Sequence, residues 1–423
     1  YLMLLHEPQQ MRVFNDEPTH ALMAQTMAQE RTVFAPGVGF YEGGSMIYAK
    51  PEPFYRLYFY PYVVSLLHNL TGVRLANSFI ANGMLGFFTL SVTFVLGWKL
   101  GGCRLAGYAA QLLLLGLPLL HHVANSAGYD LLNLFLFISF ILTCFYYLSR
   151  GGLDLLNLAI STGILLAYCR SESVLYMSAL GVVFLFRLIQ DKHLQISLFS
   201  IISPVFLLVP LAARTIGTKL DENMSVFYEN IDTGFFGLQY FSTNGQNVLR
   251  WLFSTASQSL NSWLISALFL GSVVAFFLTL RTVRSAGKKP AFFGFQAHDW
   301  ILLTFTGLAG MHLSIILCLF WDPTDASAIR FFLPINFVFV LWIIRGVHWV
   351  NEHWHTRLFV PLAALALAFI WLVTLPKAVR AEVTHSSFSS AAANQALEWA
   401  KAHDDGRTLF AVKSYFHFLL HGI

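Results

Sequence analysis

The feature that most constrains this chain is a series of long apolar runs, each about as long as a helix that crosses a bilayer. There are ten such runs, at residues 76–97, 104–121, 131–149, 154–169, 173–189, 195–213, 260–281, 299–320, 331–347 and 358–376. Lipid offers no hydrogen bonds to the backbone, so only helices and closed barrels cross it. The runs lack the short alternating pattern of barrel strands, which predicts an all-α polytopic membrane protein with at least ten transmembrane helices.

Composition agrees with a membrane protein. Of 423 residues, 56% are hydrophobic and only 11% are charged, and the mean hydropathy is +0.61. Soluble domains carry about 25% charged residues, so a water-soluble enzyme of this size is excluded. The net charge of +4 is small and gives no reason to expect a nucleic-acid partner. All four cysteines lie in or beside apolar runs and are interpreted as core residues.

Basic residues mark every second connection between the runs. These residues are Lys99, Arg104, Arg150, Arg187, Lys192, Arg281, Arg284, Lys288, Lys289, Arg345 and Arg357. Cytoplasmic loops are enriched in lysine and arginine, which predicts that these connections face the cytoplasm. The other connections, among them the long loop 214–259, are then periplasmic, lumenal or extracellular, and a bacterial inner membrane is the favoured location.

The chain divides into three parts on this basis. Residues 1–75 form a first outer loop, in which the aromatic-rich segment 54–71 is predicted to lie along the membrane interface as a helix. Residues 76–376 are the transmembrane helical domain. Residues 377–423 begin a small outer-face α/β domain, in which "DDGRTLFAV" suggests a turn and a strand. The polarity of the loops also predicts a further span before residue 1, or one whose last turn is residues 1–5.

Charged residues beside apolar segments are costly, which makes the outer-face charges functional candidates. Asp16 and Glu17 form an acidic pair ahead of a helical stretch, and Asp130 opens a span. Helix capping is an alternative interpretation of both positions, and a cap also holds a carboxylate rigidly. Lys50 is either an interfacial anchor or a binding cation.

Two arginines are the other outer-face candidates. Arg170 lies in "CRSES" at an outer turn, and Arg330 begins a late span. His121 and His122 are neighbours on a helix and point about 100° apart, so they are interpreted as structural and no metal site is predicted.

The order of these motifs resembles the GT-C fold of polytopic glycosyltransferases that use polyprenyl-phosphate-linked sugars. The resemblance covers most of residues 10–376. It rests on the early acidic pair, "KPEP" at 50–53, "SAGYD" at 126–130 and "RFFLP" at 330–334. The most similar types are protein O-mannosyltransferases and the lipid A aminoarabinose transferase. Relatives more often have two successive prolines where this chain has "KPEP".

The resemblance implies a role for each candidate. Asp16, with its neighbour Glu17, corresponds to the acidic residue that acts as base or orients the acceptor, and Asp130 to the second outer carboxylate. Lys50 and Arg330 correspond to cations near the donor phosphate. Arg170 is a third candidate for binding this phosphate. Tyr228 and Tyr240 in the long outer loop are candidates for an acceptor lid.

The implied function is transfer of a sugar from a polyprenyl phosphate to a lipid, glycan or protein acceptor on the outer face, with inversion at the anomeric carbon. No cofactor is predicted, and a divalent metal stays open. The alternatives are a transporter or flippase for a lipid-linked glycan, and a non-catalytic scaffold of the same fold. Candidate charges gathered on one face favour surface chemistry over transport, because transporters place charges near mid-membrane.

Overall fold

The structure is a computed structural model. It describes residues 16–35, 39–42, 45–48, 52–53, 57–192, 196–209, 212, 234, 236–256, 259–285, 296–325, 328–381, 395–396 and 398–403. Most of these residues are helical, as the apolar runs predict.

The α-helices are α1 Asp16–Gln29, α2 Phe59–Thr71, α3 Ala76–Gly101, α4 Arg104–Leu115, α5 Pro118–Ala124, α6 Asp130–Arg150, α7 Leu153–Cys169, α8 Val174–Asp191, α9 Leu198–Ile202, α10 Phe241–Phe253, α11 Trp263–Ser285, α12 Ala297–Leu317, α13 Leu333–Trp354, α14 Phe359–Phe369 and α15 Leu375–Ala381. Short 3₁₀ helices cover Ser171–Ser173, Ser203–Leu207, Leu238–Tyr240 and Ile329–Phe332, and a π-helix covers Ile370–Thr374. Four short strands lie between α1 and α2: β1 Phe34–Ala35, β2 Gly39–Glu42, β3 Ser45–Tyr48 and β4 Glu52–Pro53. They form two antiparallel pairs, β1 with β4 and β2 with β3.

Within the described residues, six helical segments are long and apolar enough to cross a membrane. They are Ala76–Gly101, Asp130–Arg150, Ser171–Asp191, Ala297–Leu317, Ile329–Glu352 and Phe359–Arg380. A seventh is the pair α4 and α5, which is bent by 76° at the break before Pro118. The protein is therefore an integral, multi-pass membrane protein.

The prediction of at least ten spans is not confirmed. Three predicted runs fall on shorter apolar helices, Leu153–Cys169, Leu198–Leu207 and Trp263–Leu278. Within the run 195–213, α9 ends at Ile202, and a 3₁₀ helix with Pro204 in its first turn follows. Hydropathy averaged along a sequence does not register such a break, because proline interrupts the helix without lowering the apolar content.

Close packing of α3 on α4 depends on small residues. A Cβ on Gly97 would lie 2.5 Å from the Cβ of Ala110, and one on Gly101 would lie 2.3 Å from the Cβ of Ala106. Neither space accepts another methyl group. The pattern is the small-xxx-small contact that lets membrane helices approach closely, and it fixes α3, which also packs against α6 and α13.

Several of the basic residues used for orientation lie within helices and not in the connections between them, and Arg345 and Arg187 are two examples. Arg345 is not in a loop: it is inside α13, buried, with its Nε 2.9 Å from Asp299 Oδ1. Arg187 is inside α8 and pairs with Asp191 at 2.6 Å. Asp299 lies in the first turn of α12, so the burial of Arg345 depends on a partner from another helix, which an apolar run does not reveal. The cytoplasmic side of the protein stays a prediction.

The segments on either side of the transmembrane domain are partly described. The predicted interfacial helix over 54–71 is observed as α2, which packs against α1 and α3. Its location in the membrane interface stays a prediction. The "DDGRTLFAV" segment lies outside the described residues, so the outer α/β domain stays a prediction as well.

Candidate active site

Four predicted site residues come together where four elements begin or end. Asp16 is the first residue of α1, and Asp130 is the first residue of α6. Arg170 is the extended residue that follows α7, and Arg330 lies in the 3₁₀ helix ahead of α13. All four residues are buried. The sequence alone predicts their common face; the structure adds direct contact.

Asp130 lies between the two arginines. Arg170 Nη1 donates to Asp130 Oδ1, and Arg330 Nη1 lies 3.5 Å from Asp130 Oδ2. Arg330 Nη2 donates to Asp16 Oδ2, and Arg170 Nε donates to Glu172 Oε1. The capping interpretation of Asp130 is wrong, because Tyr129 occupies the cap position and the Asp130 carboxylate binds arginine instead. Buried charges persist in proteins when they are paired in this way.

An aromatic floor supports both cations. The Arg170 guanidinium carbon lies 4.9 Å from the centroid of the Tyr129 ring and 4.3 Å from that of Phe331. The Arg330 guanidinium carbon lies 5.6 Å from the Tyr129 centroid. Burial by itself lowers the pKa of Arg170, but the charge of Glu172, to which that of Asp130 is added, outweighs it and raises that pKa above its ordinary value. Arg170 therefore stays charged.

Glu17 is held by the turn between α5 and α6. The Ala127 N–H donates to Glu17 Oε2 at 3.0 Å. Asn82 of α3 fixes this turn, because its Nδ2 donates to Ser126 O at 2.7 Å and to Gly128 O at 2.9 Å. The turn, α1 and α3 thus position one another.

Gly128 brings Glu17 and Asp130 to the same place. A Cβ on Gly128 would lie 3.4 Å from Glu17 Oε1 and 3.6 Å from Asp130 Oδ2. The two carboxylates therefore converge on the face of this glycine.

Tyr60 of α2 completes the described part of the site. It is 1% exposed, and its hydroxyl donates to Ser78 O at 3.2 Å. Burial raises the pKa of Tyr60 well above its ordinary value, and the charges of Glu17 and Asp130 add to the rise. Its hydroxyl therefore stays protonated beside two carboxylates.

Sequence reasoning gave no role to four of these residues: Tyr60, Asn82, and Gly128 and Tyr129 of the motif at 126–130. One signal was available for Asn82, because a polar residue inside an apolar span is a functional candidate by default. Tyr60, Gly128 and Tyr129 become site residues only through contacts between distant segments.

The remaining predicted site residues are Lys50, Tyr228 and Tyr240. Lys50 and Tyr228 fall outside the described residues, so their roles stay predictions. Tyr240 ends a 3₁₀ helix, and its hydroxyl donates to Gly234 O at 2.8 Å within the same loop. The following helix, α10, reaches the site region, because Trp251 packs against Phe332, two residues after Arg330, with centroids 5.0 Å apart.

No metal site is evident in the part of the chain that the structure describes, where no group of three or more His, Cys, Asp or Glu side chains has the arrangement to hold an ion. His121 is buried, and its Nε2 lies 2.8 Å from Leu115 O, as suits a structural role.

A solved structure with the same architecture is ArnT from Cupriavidus metallidurans bound to undecaprenyl phosphate. It is 11% identical, and the match has a TM-score of 0.56 and covers 99% of this chain and 82% of that chain. ArnT from the same organism in the apo state is 13% identical over the same shares, with a TM-score of 0.46. No family model and no curated protein sequence matches the chain. The match to the lipid-bound structure confirms the resemblance stated from the motifs: this chain has the GT-C fold.

Proposed function

We propose that this protein is a membrane glycosyltransferase that moves a sugar from a polyprenyl-phosphate-linked donor to an acceptor on the outer face. The observation that carries the proposal is the contact of Arg330 with both Asp16 and Asp130, beside Arg170. A candidate base and two cations for a phosphate thus share one buried site in a GT-C fold. The undecaprenyl phosphate bound to ArnT supports a polyprenyl phosphate as the lipid.

The reaction needs a base and a cationic site. The acceptor hydroxyl oxygen attacks the anomeric carbon, and the bond from that carbon to the phosphate oxygen breaks with its electron pair staying on the phosphate. Asp16 takes the hydroxyl proton. Polyprenyl phosphate is a good leaving group, so Arg330 and Arg170 stabilise its charge in place of a general acid. A single displacement inverts the anomeric configuration.

The arginine contacts couple the two halves of this step. Arg330 Nη2 donates to Asp16, so a proton on Asp16 removes the charge that holds this edge of the guanidinium. The other edge is 3.5 Å from Asp130 Oδ2, which is long for a charge-assisted hydrogen bond. Proton transfer to Asp16 therefore frees Arg330 for the phosphate as negative charge develops there.

Other residues have supporting roles in the proposal. Asp130 keeps the two arginines apart and oriented, and Glu17 fixes α1 to the turn at Ala127. Lys50 adds a further cation to the phosphate site, and the loop that contains Tyr228 and Tyr240 covers the acceptor. The acceptor is a lipid, a glycan or a protein exposed on the outer face, and the sugar is the variable that the assay must identify.

The test is transfer from radiolabelled polyprenyl-phosphate sugars by the full chain in nanodiscs. Asp16→Asn keeps the size of the side chain and removes the base, so we expect at least a hundredfold loss of turnover. Arg330→Lys keeps the charge and loses the fork geometry, so we expect a large loss as well. The matched control is Asp154→Asn, the same exchange at an exposed position in the first turn of α7.

Two results would contradict the proposal. The first is a wild-type protein that transfers no sugar from any donor in the panel to any acceptor class. The second is an Asp16→Asn variant that turns over at the wild-type rate. Size-exclusion profiles of each variant separate a catalytic loss from a folding defect.

A further inference from the structure

Two buried polar atoms on one face of α3 make no hydrogen bond within the described part of the chain. They are Ser78 Oγ and Asn82 Oδ1, on residues that are 1% and 0% exposed. Residues four apart lie one above the other on a helix, so both side chains share a face. Buried polar atoms in proteins are nearly always paired with protein, water or ligand, so such a pair on one face requires an explanation.

The orientation of Asn82 is fixed by its partners. Its amide nitrogen lies 2.7 Å from Ser126 O and 2.9 Å from Gly128 O. Both backbone oxygens are acceptors, so the Asn82 NH₂ group, and not its amide oxygen, must face them. The amide oxygen is therefore directed away from the turn. The Asn82 amide oxygen is thus an acceptor that faces the site and not the turn between α5 and α6.

The surroundings of this face belong to the candidate active site. Tyr60 donates to the backbone oxygen of Ser78 itself, at 3.2 Å. Gly128, which Asn82 binds, is the residue on which the Glu17 and Asp130 carboxylates converge. The face of α3 whose two polar atoms have no partner among the described residues thus lies next to two carboxylates.

We infer that Ser78 and Asn82 form the subsite for the hydroxyl groups of the sugar that is transferred. This inference rests on the proposed function and names the part of the donor that this face of α3 binds. Sugar hydroxyls donate to Asn82 Oδ1 and to the carboxylates, and the Ser78 hydroxyl donates to or accepts from the same ring.

The other parts of the donor fit this face less well. The prenyl tail is apolar and leaves both polar atoms unpaired. The phosphate is an anion, and it would meet the Asn82 amide oxygen and the carboxylates of Glu17 and Asp130, all of which are acceptors. A neutral ring with several hydroxyl donors complements them, and the arginines on Asp130 are left for the phosphate.

The test is equilibrium binding to the full chain in nanodiscs, with undecaprenyl phosphate alone and with undecaprenyl phosphate that carries mannose, glucose or arabinose. Ser78→Ala removes an oxygen that makes no hydrogen bond to any described residue, so folding stability is expected to stay at the wild-type level. We expect this variant to bind the preferred sugar-bearing lipid about three- to tenfold more weakly, as one lost hydrogen bond predicts. Its affinity for undecaprenyl phosphate alone should not change.

Two further variants sharpen the experiment. Ser91→Ala is the matched control, because Ser91 is on the same helix and its hydroxyl donates back to Phe87 O at 2.8 Å. Gly128→Ala adds a methyl group at ordinary contact distances of 3.4 to 3.6 Å from its neighbours, so the protein should fold. That methyl group occupies space between the carboxylates and should weaken the sugar-bearing lipid more than the bare lipid.

The outcomes separate the two proposals. If wild-type protein binds none of the four lipids, the proposed function fails and the sugar subsite fails with it. If it binds all four equally, or if Ser78→Ala matches wild type on every lipid, the subsite is overturned while the polyprenyl-phosphate site stands. In that case an ordered water, and not a sugar, is the partner of this face.

Discussion

Asp130→Asn tests whether the ion-pair cluster holds together the helix ends that meet at the site. Asp130 receives Arg170 on one oxygen and Arg330 on the other. Asparagine has the same size but only one acceptor oxygen, so its NH₂ group must face one of the two guanidinium groups. Removing one partner from a buried pair costs about 3–5 kcal/mol. We expect a loss near the lower end, about 3 kcal/mol, because the second contact is already long and the Tyr129 ring still covers both cations.

The measurement is the free energy of unfolding in mixed micelles, titrated with SDS and followed by tryptophan fluorescence. Asp154→Asn is the control, because this exposed carboxylate should contribute less than about 1 kcal/mol. A double-mutant cycle with Arg170→Gln should give a coupling energy of at least about 1 kcal/mol, as expected for side chains in direct contact. An Asp130→Asn variant within 1 kcal/mol of wild type, or a coupling energy near zero, would refute the reasoning.

Two further predictions concern packing and pH. Gly163→Ala should lower the free energy of unfolding by about 1–3 kcal/mol, because the added Cβ would lie 2.2 Å from Met177 Sδ. Gly181→Ala places its Cβ in open space and should be neutral or slightly stabilising. Thermal unfolding of the two variants checks the difference. His68 Nδ1 accepts from Asn77 Nδ2 at 2.8 Å, and burial lowers the pKa of His68. As the pH falls, the unfolded chain therefore binds a proton at this histidine before the folded protein does. The free energy of unfolding should then fall as the pH drops below about 6.5. His68→Gln should make the free energy of unfolding less dependent on pH. An unchanged pH dependence would contradict its assignment to His68.

Much of the site could be predicted because its charged residues stand out from the apolar sequence around them. Asp16, Asp130, Arg170 and Arg330 are charges at the ends of apolar segments, and that cost is readable along the chain. Their contacts were not readable. Arg330 meets Asp16 across 314 residues and Asp130 across 200, and local patterns carry no information about such pairings.

The fold was predictable to a similar depth. The positions of the apolar runs follow from hydropathy, and their helical state follows from the lipid environment. Local chain breaks were not predictable to the same extent, as the end of α9 at Ile202 and the 76° bend before Pro118 illustrate. For Arg345 the prediction failed in the opposite direction. Its charge suggested a loop, but its ion pair with Asp299 on a neighbouring helix stabilises the arginine in a buried position.

The sequence spacing of the cluster sets an order for its assembly during synthesis. Asp130 and Arg170 are 40 residues apart, so this pair can form as soon as the span that follows Arg170 enters the membrane. Arg330 arrives 160 residues later and only then joins Asp16 to Asp130. A nascent chain, or one truncated ahead of Ile329, therefore holds the early pair without the residue that unites the site. Under the proposed mechanism, such a chain is inactive until its last helices are inserted, which keeps unfinished protein from acting on lipid-linked sugars.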